Sequence, residues 1–406
     1  MKRILETVLP PLLLLTGCAS PPAEPPPEPE PLFSPEFYSD AGLLAGILEF
    51  LHENYADADA ATREKLIVNA IRGMVSGLDR YSGYESPEEF GVNDIQRTGA
   101  HTGIGVNCVK EENSPALVTA VAPGSPAAEA GLRPGDRLLR VNGIPVADRP
   151  LEECVRRLRG ASGTTLTLEY LPDGGGTPVS VELKRREIQH PSVPPEAVRM
   201  LADGIGFLRI GSFNARTPEE FDAAFAKLQN EGMTRGLIID LRGNPGGLVE
   251  SAVKIAERFL PADETVFTVR YRRPPEPVAV RAGAEAEKTP GLPVALLIDP
   301  YTASAAELLT GALQDHKRAR VFGMRSFGKG TLLRVLPLPD GGALRYASGH
   351  YRTPSGKIIE GCGVTPDVEI PVTAEEALLR APVPDPARDP QLKAALEFLE
   401  KSPVEQ

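Results

Sequence analysis

The sequence lacks the residue patterns on which metal sites depend. It has only five histidines and four cysteines among 406 residues. The histidines form no HExxH pair and the cysteines have no CxxC spacing, so neither a zinc protease nor a zinc-binding module has a ligand set. We therefore expect no metal and no cofactor.

Blocks of like charge are also missing. The formal net charge is -11, but acidic and basic residues are interspersed along the chain. This pattern predicts no nucleic-acid surface and no patch for anionic lipids. The moderate hydrophobic content and the few aromatic residues are typical of soluble globular folds, and the length allows two or three domains.

No apolar run near the N-terminus is long enough to span a bilayer, which takes about 20 residues. Residues 1–15 instead have a charged start and a leucine-rich stretch interrupted by Pro10 and Pro11, as in an export signal. The letters LTGC at 15–18 resemble a bacterial lipobox, which implies lipid attachment at Cys18. We expect a protein of the bacterial cell envelope, lipid-anchored and facing the periplasm.

Composition and periodicity divide the chain into six segments. The fold class that we predict is an α/β (α+β) core with a helical N-terminal region and an inserted small β-rich domain. The predicted segments are a signal peptide (1–17), a Pro-rich tether (18–35), an N-terminal region with two amphipathic helices (36–94), a small β-rich domain (95–187), an α/β core (188–375) and a C-terminal tail with a helix (376–406).

The predicted β-rich domain contains a characteristic series of motifs. Short β-like runs separated by Gly and Pro fill residues 100–186, and the segments GIGV (103–106), PGSPAA (123–128), AGLRPGD (130–136) and VNG (141–143) follow one another as in PDZ domains. The resemblance implies that the loop of Gly103, Ile104, Gly105 and Val106 offers amides to the C-terminal carboxylate of a peptide. Taken singly, each glycine fits a simple tight turn equally well.

Strands and helices alternate after residue 190. The pattern predicts strands at 205–210, 236–240 and 294–298, and a helix over 218–228 with Thr217 as its N-cap. A further helix is predicted to begin near Ser304. Polar turns at the ends of the strands place candidate site residues at the carboxyl edge of a sheet.

Ser304 allows two interpretations. Ser304 and Glu307 fit a capping box, in which the hydroxyl only caps the helix. A serine at a helix start is also well placed for nucleophilic attack, because the exposed amides favour a developing oxyanion.

A family resemblance favours the second interpretation. TASAAE (302–307) with GALQD (311–315), SFGKG (326–330), DLRGNPGGL (240–248) and YRTPSG (351–356) resemble motifs of the carboxy-terminal processing proteases. The resemblance implies that residues 188–375 are an α/β serine protease core, which follows the inserted PDZ domain (95–187). It implies Ser304 as nucleophile and Lys329 as base. It also implies an oxyanion hole made by the amide of Ala305 and one amide from the turn Gly246 and Gly247.

The base must be a neutral lysine, which burial favours. Gly328 and Gly330 would allow a close approach of its backbone. Asp315 matches the family motif, but we expect it to support the structure only. One departure stands out, because Leu333 replaces the glutamine that orients the lysine amine in the family.

Two functions therefore compete. The first is a serine endopeptidase that recognises C-terminal regions of exported proteins through its PDZ domain. The alternative is a catalytically impaired PDZ adaptor, for which Leu333 is the evidence. A Ser-His-Asp hydrolase is disfavoured because neither His316 nor His350 has a suitable context. The terminal helical regions, including Leu392 to Leu399, are candidate surfaces for homo-oligomer formation.

Overall fold

The computed structural model describes residues 35–87, 89–90, 100–111, 113–189, 191–273, 276–283, 291–373 and 384–402. The predicted signal peptide, Cys18 and all but the last residue of the predicted tether lie outside these ranges. The chain separates into two units, Met1–Gly73 and Met74–Gln406. Within the described ranges, no helix combines the length and the apolar character that a membrane span requires.

The first unit contains the two predicted N-terminal helices. These are α1 (Pro35–Asn54) and α2 (Arg63–Ser76). The last turn of α2 belongs to the second unit. The Nδ1 atom of His52 lies 2.9 Å from the carbonyl oxygen of Ala61. A short strand of the second unit follows, β1 (Gly83–Glu85).

The segment that resembles a PDZ domain forms a six-stranded antiparallel sheet with two helices. Its apolar core includes Ile104, Leu138 and Leu168, all at most 1% exposed. The flanking strands β2 and β9 pair with each other next to this sheet. The elements are β2 (Ala100–Gly103), β3 (Val106–Val109), β4 (Ala116–Val121), α3 (Pro126–Glu129), β5 (Arg137–Val141), β6 (Ile144–Pro145), α4 (Leu151–Leu158), β7 (Thr165–Leu171), β8 (Val179–Lys184) and β9 (Arg186–Gln189).

The core that follows is an α/β layer structure, so the predicted fold class is confirmed. After a short 3₁₀ helix (Pro195–Ala197), its elements are β10 (Arg199–Ala202), β11 (Ile205–Arg209), α5 (Thr217–Asn230), β12 (Gly236–Asp240), α6 (Val249–Ala256), β13 (Thr265–Tyr271), β14 (Val278–Arg281), β15 (Val294–Ile298), α7 (Ala305–Asp315), β16 (Arg320–Gly323), β17 (Thr331–Pro337), β18 (Ala343–Arg352), β19 (Val368–Glu369) and α8 (Pro390–Lys401).

Two sheets build this core. One has the order β10-β11-β12-β15-β16-β19 and is parallel except for β10. Every residue of β12 and β15 is buried, as expected for parallel strands covered on both faces. In the other sheet, β18 pairs with β1, β13 and β17, and β13 also pairs with β14. The strand β1, which precedes the PDZ segment in sequence, is therefore part of the core.

Two sequence predictions are wrong in this region. The helix α5 begins at Thr217 itself, with Arg216 at the cap position, because the Thr217 hydroxyl accepts the amide of Asn214 instead of capping the helix. The apolar face of α8 is not an association surface. Leu392 and Leu399 are fully buried against the parallel sheet.

Candidate active site

Ser304 lies at the start of α7 with an unusual backbone. Its φ is 57° and its ψ is -120°, a strained region for a residue with a side chain. The preceding turn is fixed by Asp299, which accepts the amide of Tyr301 at 3.0 Å and donates its own amide to the hydroxyl of Thr302. Such strain persists only where the surroundings fix the backbone, and it is typical of functional sites.

The carboxylate of Glu307 joins the nucleophile segment to the lysine segment. Its Oε2 atom accepts the amides of Ser304 and Lys329, both at 2.8 Å. Its Oε1 atom accepts the hydroxyl of Ser326 at 2.5 Å and the amide of Gly328 at 2.7 Å. The residue is fully buried. Burial raises the pKa of Glu307, although these hydrogen bonds act to lower it.

The sequence identified Glu307 only as a helix cap. The predicted capping box is present, with Glu307 accepting the Ser304 amide and the Ser304 side chain facing the Glu307 amide. The contacts with residues 326–329 come from a distant part of the chain and had no local signal. A buried carboxylate with four donors is a structural anchor for both predicted catalytic residues.

Lys329 is half-buried between two glycines. A Cβ atom at Gly330 would lie 2.3 Å from the amide nitrogen of Glu360, so the predicted close approach of the backbone is confirmed. Burial lowers the pKa of the Lys329 amine, and the positive charge of Arg345 adds to this effect. Both causes favour the neutral amine that a base requires.

Two of the predicted oxyanion-hole residues, Gly246 and Ala305, lie beside Ser304. A Cβ atom at Gly246 would lie 2.7 Å from the Cβ of Ser304 and 3.1 Å from the amide nitrogen of Ala305. The amide of Gly246 is already donated to Oδ1 of Asn244 at 2.8 Å. Among the described residues, the amides of Ala305 and Gly247 have no acceptor. Ala305 and Gly247 are thus the better candidates to bind an oxyanion.

Arg242 is the centre of a buried ion-pair network that the sequence did not predict. It forms a bidentate pair with Asp240, at 2.8 Å for both hydrogen bonds, and also bonds Asp389 and Gln391 at the start of α8. Burial acts to raise the pKa of Asp240, but the charge of Arg242 outweighs it and lowers that pKa. This network ties the turn that carries Gly246 to the C-terminal helix.

Asp315 lies at the other end of α7 and supports a turn. Its Oδ2 atom accepts the amide and the hydroxyl of Ser355 at 2.9 and 2.7 Å, and its Oδ1 atom accepts Lys357 Nζ at 2.9 Å. Burial acts to raise the pKa of Asp315, but hydrogen bonds from Thr353, Ser355 and Lys357 outweigh it and bring the pKa to about 2. These contacts agree with the supporting role that we predicted.

The substitution Asp315→Asn is expected to lower the free energy of unfolding by about 1–2 kcal/mol at pH 7, after allowance for solvent screening. The carboxylate pKa is below its ordinary 3.8, so its contribution is complete above about pH 4 and is lost as the pH falls towards 2. Urea denaturation at pH 7 and at pH 2.5 measures this. A difference between the two proteins that is equally large at pH 2.5 would show that the charge is not responsible.

The predicted peptide-binding loop, residues 103–106, lies between β2 and β3. The strand β3 is an edge of its sheet, with β4 as its neighbour. At Gly105 φ is +83°, and a Cβ atom there would lie 2.3 Å from the Cβ of Ser125. An edge strand that follows a glycine turn is the arrangement that adds an extended peptide to a sheet.

Leu333 lies in β17, half-buried and opposite Ala347 of β18. A leucine side chain has neither a donor nor an acceptor for the lysine amine. The structure brings Ser304, Ala305, Gly246 and Lys329 into one site. Position 333 offers the lysine amine no hydrogen-bond partner.

Comparisons with known proteins agree with the family resemblance found in the sequence. The model of peptidase family S41 matches residues 204–370, and a PDZ domain model matches residues 117–171. The carboxy-terminal-processing protease of Bartonella bacilliformis is 36% identical over 313 residues, which cover 76% of this chain and 70% of the relative. The carboxyl-terminal-processing protease of Synechocystis sp. is 32% identical over 355 residues, covering 86% and 80%.

A solved structure supports the fold. The crystal structure of a Bacteroides fragilis protein assigned to the S41 proteases matches with a TM-score of 0.51 at 19% identity. The match covers 80% of this chain and 87% of that chain.

Proposed function

The chain belongs to the carboxy-terminal-processing proteases of peptidase family S41 and is a serine peptidase with a PDZ domain, and from this premise we propose that it hydrolyses peptide bonds with a dyad of Ser304 and Lys329. The relatives are proteases, so they do not favour the alternative of a catalytically impaired adaptor.

In this mechanism, the Ser304 oxygen attacks the peptide carbonyl carbon while neutral Lys329 accepts the proton of the Ser304 hydroxyl. The amides of Ala305 and Gly247 bind the oxyanion that forms. The lysine ammonium then gives its proton to the leaving amine, and an acyl ester remains on Ser304. The same lysine deprotonates a water that attacks the ester, and the resulting ammonium returns the proton to the Ser304 oxygen as the acid product leaves.

One observation carries the proposal. A single oxygen atom, Oε2 of Glu307, accepts the amides of both Ser304 and Lys329 at 2.8 Å. A solvated surface lysine and a simple helix cap would not need a shared buried carboxylate. The arrangement supports a nucleophile and a base that are held together before substrate binds.

Substrate selection follows from the PDZ domain. We propose that the loop at residues 103–106 and the edge of β3 bind the C-terminal region of a protein substrate. The substrates would be exported proteins, since the lipobox-like LTGC at 15–18 supports a lipid anchor at Cys18 in the cell envelope.

The test is cleavage of an unfolded protein by the purified chain, with Ser304→Ala as the reference for background. We expect cleavage by the natural protein only, and covalent labelling of Ser304 by a fluorophosphonate that inhibits it. Equal background rates for both proteins, with intact folding and peptide binding, would show an adaptor instead of a peptidase.

A further inference from the structure

The amine of Lys329 has a neighbour outside the family motifs. The ring centroid of Tyr81 lies 5.3 Å from Lys329 Nζ. Tyr81 belongs to the segment between α2 and β1, so it reaches the site from before the PDZ domain in sequence. An amine at this distance from an aromatic face is attracted to it, most strongly when it is protonated.

The turn that carries Tyr81 is rigid. One carboxylate oxygen of Asp79 accepts the amides of Tyr81 and Ser82, both at 2.7 Å, and its other oxygen accepts the Ser82 hydroxyl at 2.6 Å. Such a turn fixes the backbone at Tyr81 independently of Ser304 and Lys329.

This turn is attached to β18 beside position 333. The Ser82 hydroxyl accepts the amide of Ala347 at 3.0 Å, and Ala347 is the residue opposite Leu333. The Arg345 guanidinium donates to the carbonyl oxygen of Tyr81 at 3.0 Å. The Tyr81 turn therefore lies at the part of β18 that faces the position of the missing glutamine.

We propose that Tyr81 is a positioning residue, which holds and covers the Lys329 amine in place of the glutamine that Leu333 replaces. The inference rests on the proposed role of Lys329 as base. The ring face attracts the N–H groups of the amine and leaves its lone pair for the Ser304 proton. It also favours the ammonium that forms once the proton is transferred.

The phenol itself is not the base. Burial raises the pKa of Tyr81, with the negative charge of Glu360 adding to the effect, so the hydroxyl stays protonated. The hydroxyl oxygen is buried and makes no hydrogen bond of normal geometry within the described residues, although the Arg80 guanidinium lies near it. The ring is thus the part of Tyr81 that acts on the amine, and the hydroxyl can be removed.

Several charges determine how the amine responds. Burial is the largest cause of the lowered pKa of Lys329, the positive charge of Arg345 adds to it, and Glu360 and Glu307 act to raise it. The Arg80 guanidinium also lies over the Tyr81 ring, 4.7 Å from its centroid, and pairs with Glu360 at 3.3 Å. Removing the ring would expose the amine to water and would also remove the cation–π attraction to the ammonium. Because burial dominates, exposure should prevail and the pKa of Lys329 should rise.

The experiment measures the pH dependence of Lys329 acetylation by acetic anhydride, read by mass spectrometry in the Ser304→Ala protein. The variants are Tyr81→Phe, Tyr81→Ala and, as a control, Tyr84→Ala, a nearby buried tyrosine whose hydroxyl bonds Asp340 at 2.6 Å. We expect Tyr81→Phe to leave the midpoint unchanged and Tyr81→Ala to raise it by about one pH unit. If Tyr81→Ala does not fold, Tyr81→Val should shift the midpoint in the same direction.

Activity gives a second readout with Ser304 intact. Tyr81→Ala should lower kcat/KM about tenfold at pH 7.5, mainly through kcat, and added Leu333→Gln should restore most of it. In the Tyr84→Ala control, adding Leu333→Gln should leave kcat/KM unchanged. A midpoint for Tyr81→Ala equal to that of Tyr84→Ala would overturn the inference. Acetylation of Lys329 needs no catalysis, so the two proposals can fail separately. If Tyr81→Ala shifts the acetylation midpoint but the natural protein cleaves no substrate, the positioning role of Tyr81 is supported and the proposed peptidase function is refuted.

Discussion

Replacing Lys329 with methionine should reduce peptide hydrolysis at least about 10³-fold while the free energy of unfolding stays equal or rises. Methionine has nearly the length of lysine but no basic nitrogen, so the Ser304 hydroxyl keeps its proton. In the native fold this amine is half-buried, and burial disfavours its charged form, which lowers its pKa. Keeping a charged amine there at neutral pH costs stability. An apolar side chain removes that cost.

The natural protein should show the corresponding pH dependence. The base is active when neutral, so kcat/KM should rise with pH, with a midpoint below the ordinary 10.5. Initial rates from pH 6 to 10.5 and urea denaturation measure both effects. The exposed Lys254 on α6 provides a control, and Lys254→Met should change neither rate nor midpoint. Substantial activity in the Lys329→Met protein would contradict the dyad.

Much of the core could be predicted from the sequence. The strands Gly236–Asp240 and Val294–Ile298 have the predicted bounds, because continuous buried apolar runs are a strong local signal. The C-terminal helix was predicted as a helix, but its partner was not. An apolar stripe is the same whether it packs on its own sheet or on another subunit, so Leu392 and Leu399 were misassigned.

The site was predictable only as far as its motifs reach. Ser304, Lys329 and the glycine turn have local signatures. Glu307 has one too, but the signature is that of a helix cap, and its contacts with Gly328 and Lys329 exist only in the folded chain. Tyr81 has no signature, because its position beside the amine depends on the pairing of β1 with β18.

The substitution Glu307→Gln is expected to lower the free energy of unfolding by about 2–4 kcal/mol and activity at least about 100-fold. The carboxylate accepts four hydrogen bonds, two on each oxygen. An amide has one oxygen and one NH₂ group, so in either orientation at least one backbone amide faces another donor. If the NH₂ group replaces Oε2, the amides of Ser304 and Lys329 lose their common acceptor. In the other orientation the amide of Gly328 loses its acceptor, while the Ser326 hydroxyl can turn to accept the NH₂ group.

Urea denaturation and kcat/KM at pH 7.5 test this, with Glu250→Gln as the matched control on the exposed first turn of α6. The control should change stability by less than about 0.5 kcal/mol. Fluorophosphonate labelling of Ser304 should slow in the Glu307 variant in proportion to the loss of kcat/KM, since the same misplaced nucleophile limits both. A variant that loses stability but keeps its labelling rate would show that Glu307 supports only the fold, and that Ser304 and Lys329 find their places without the shared carboxylate.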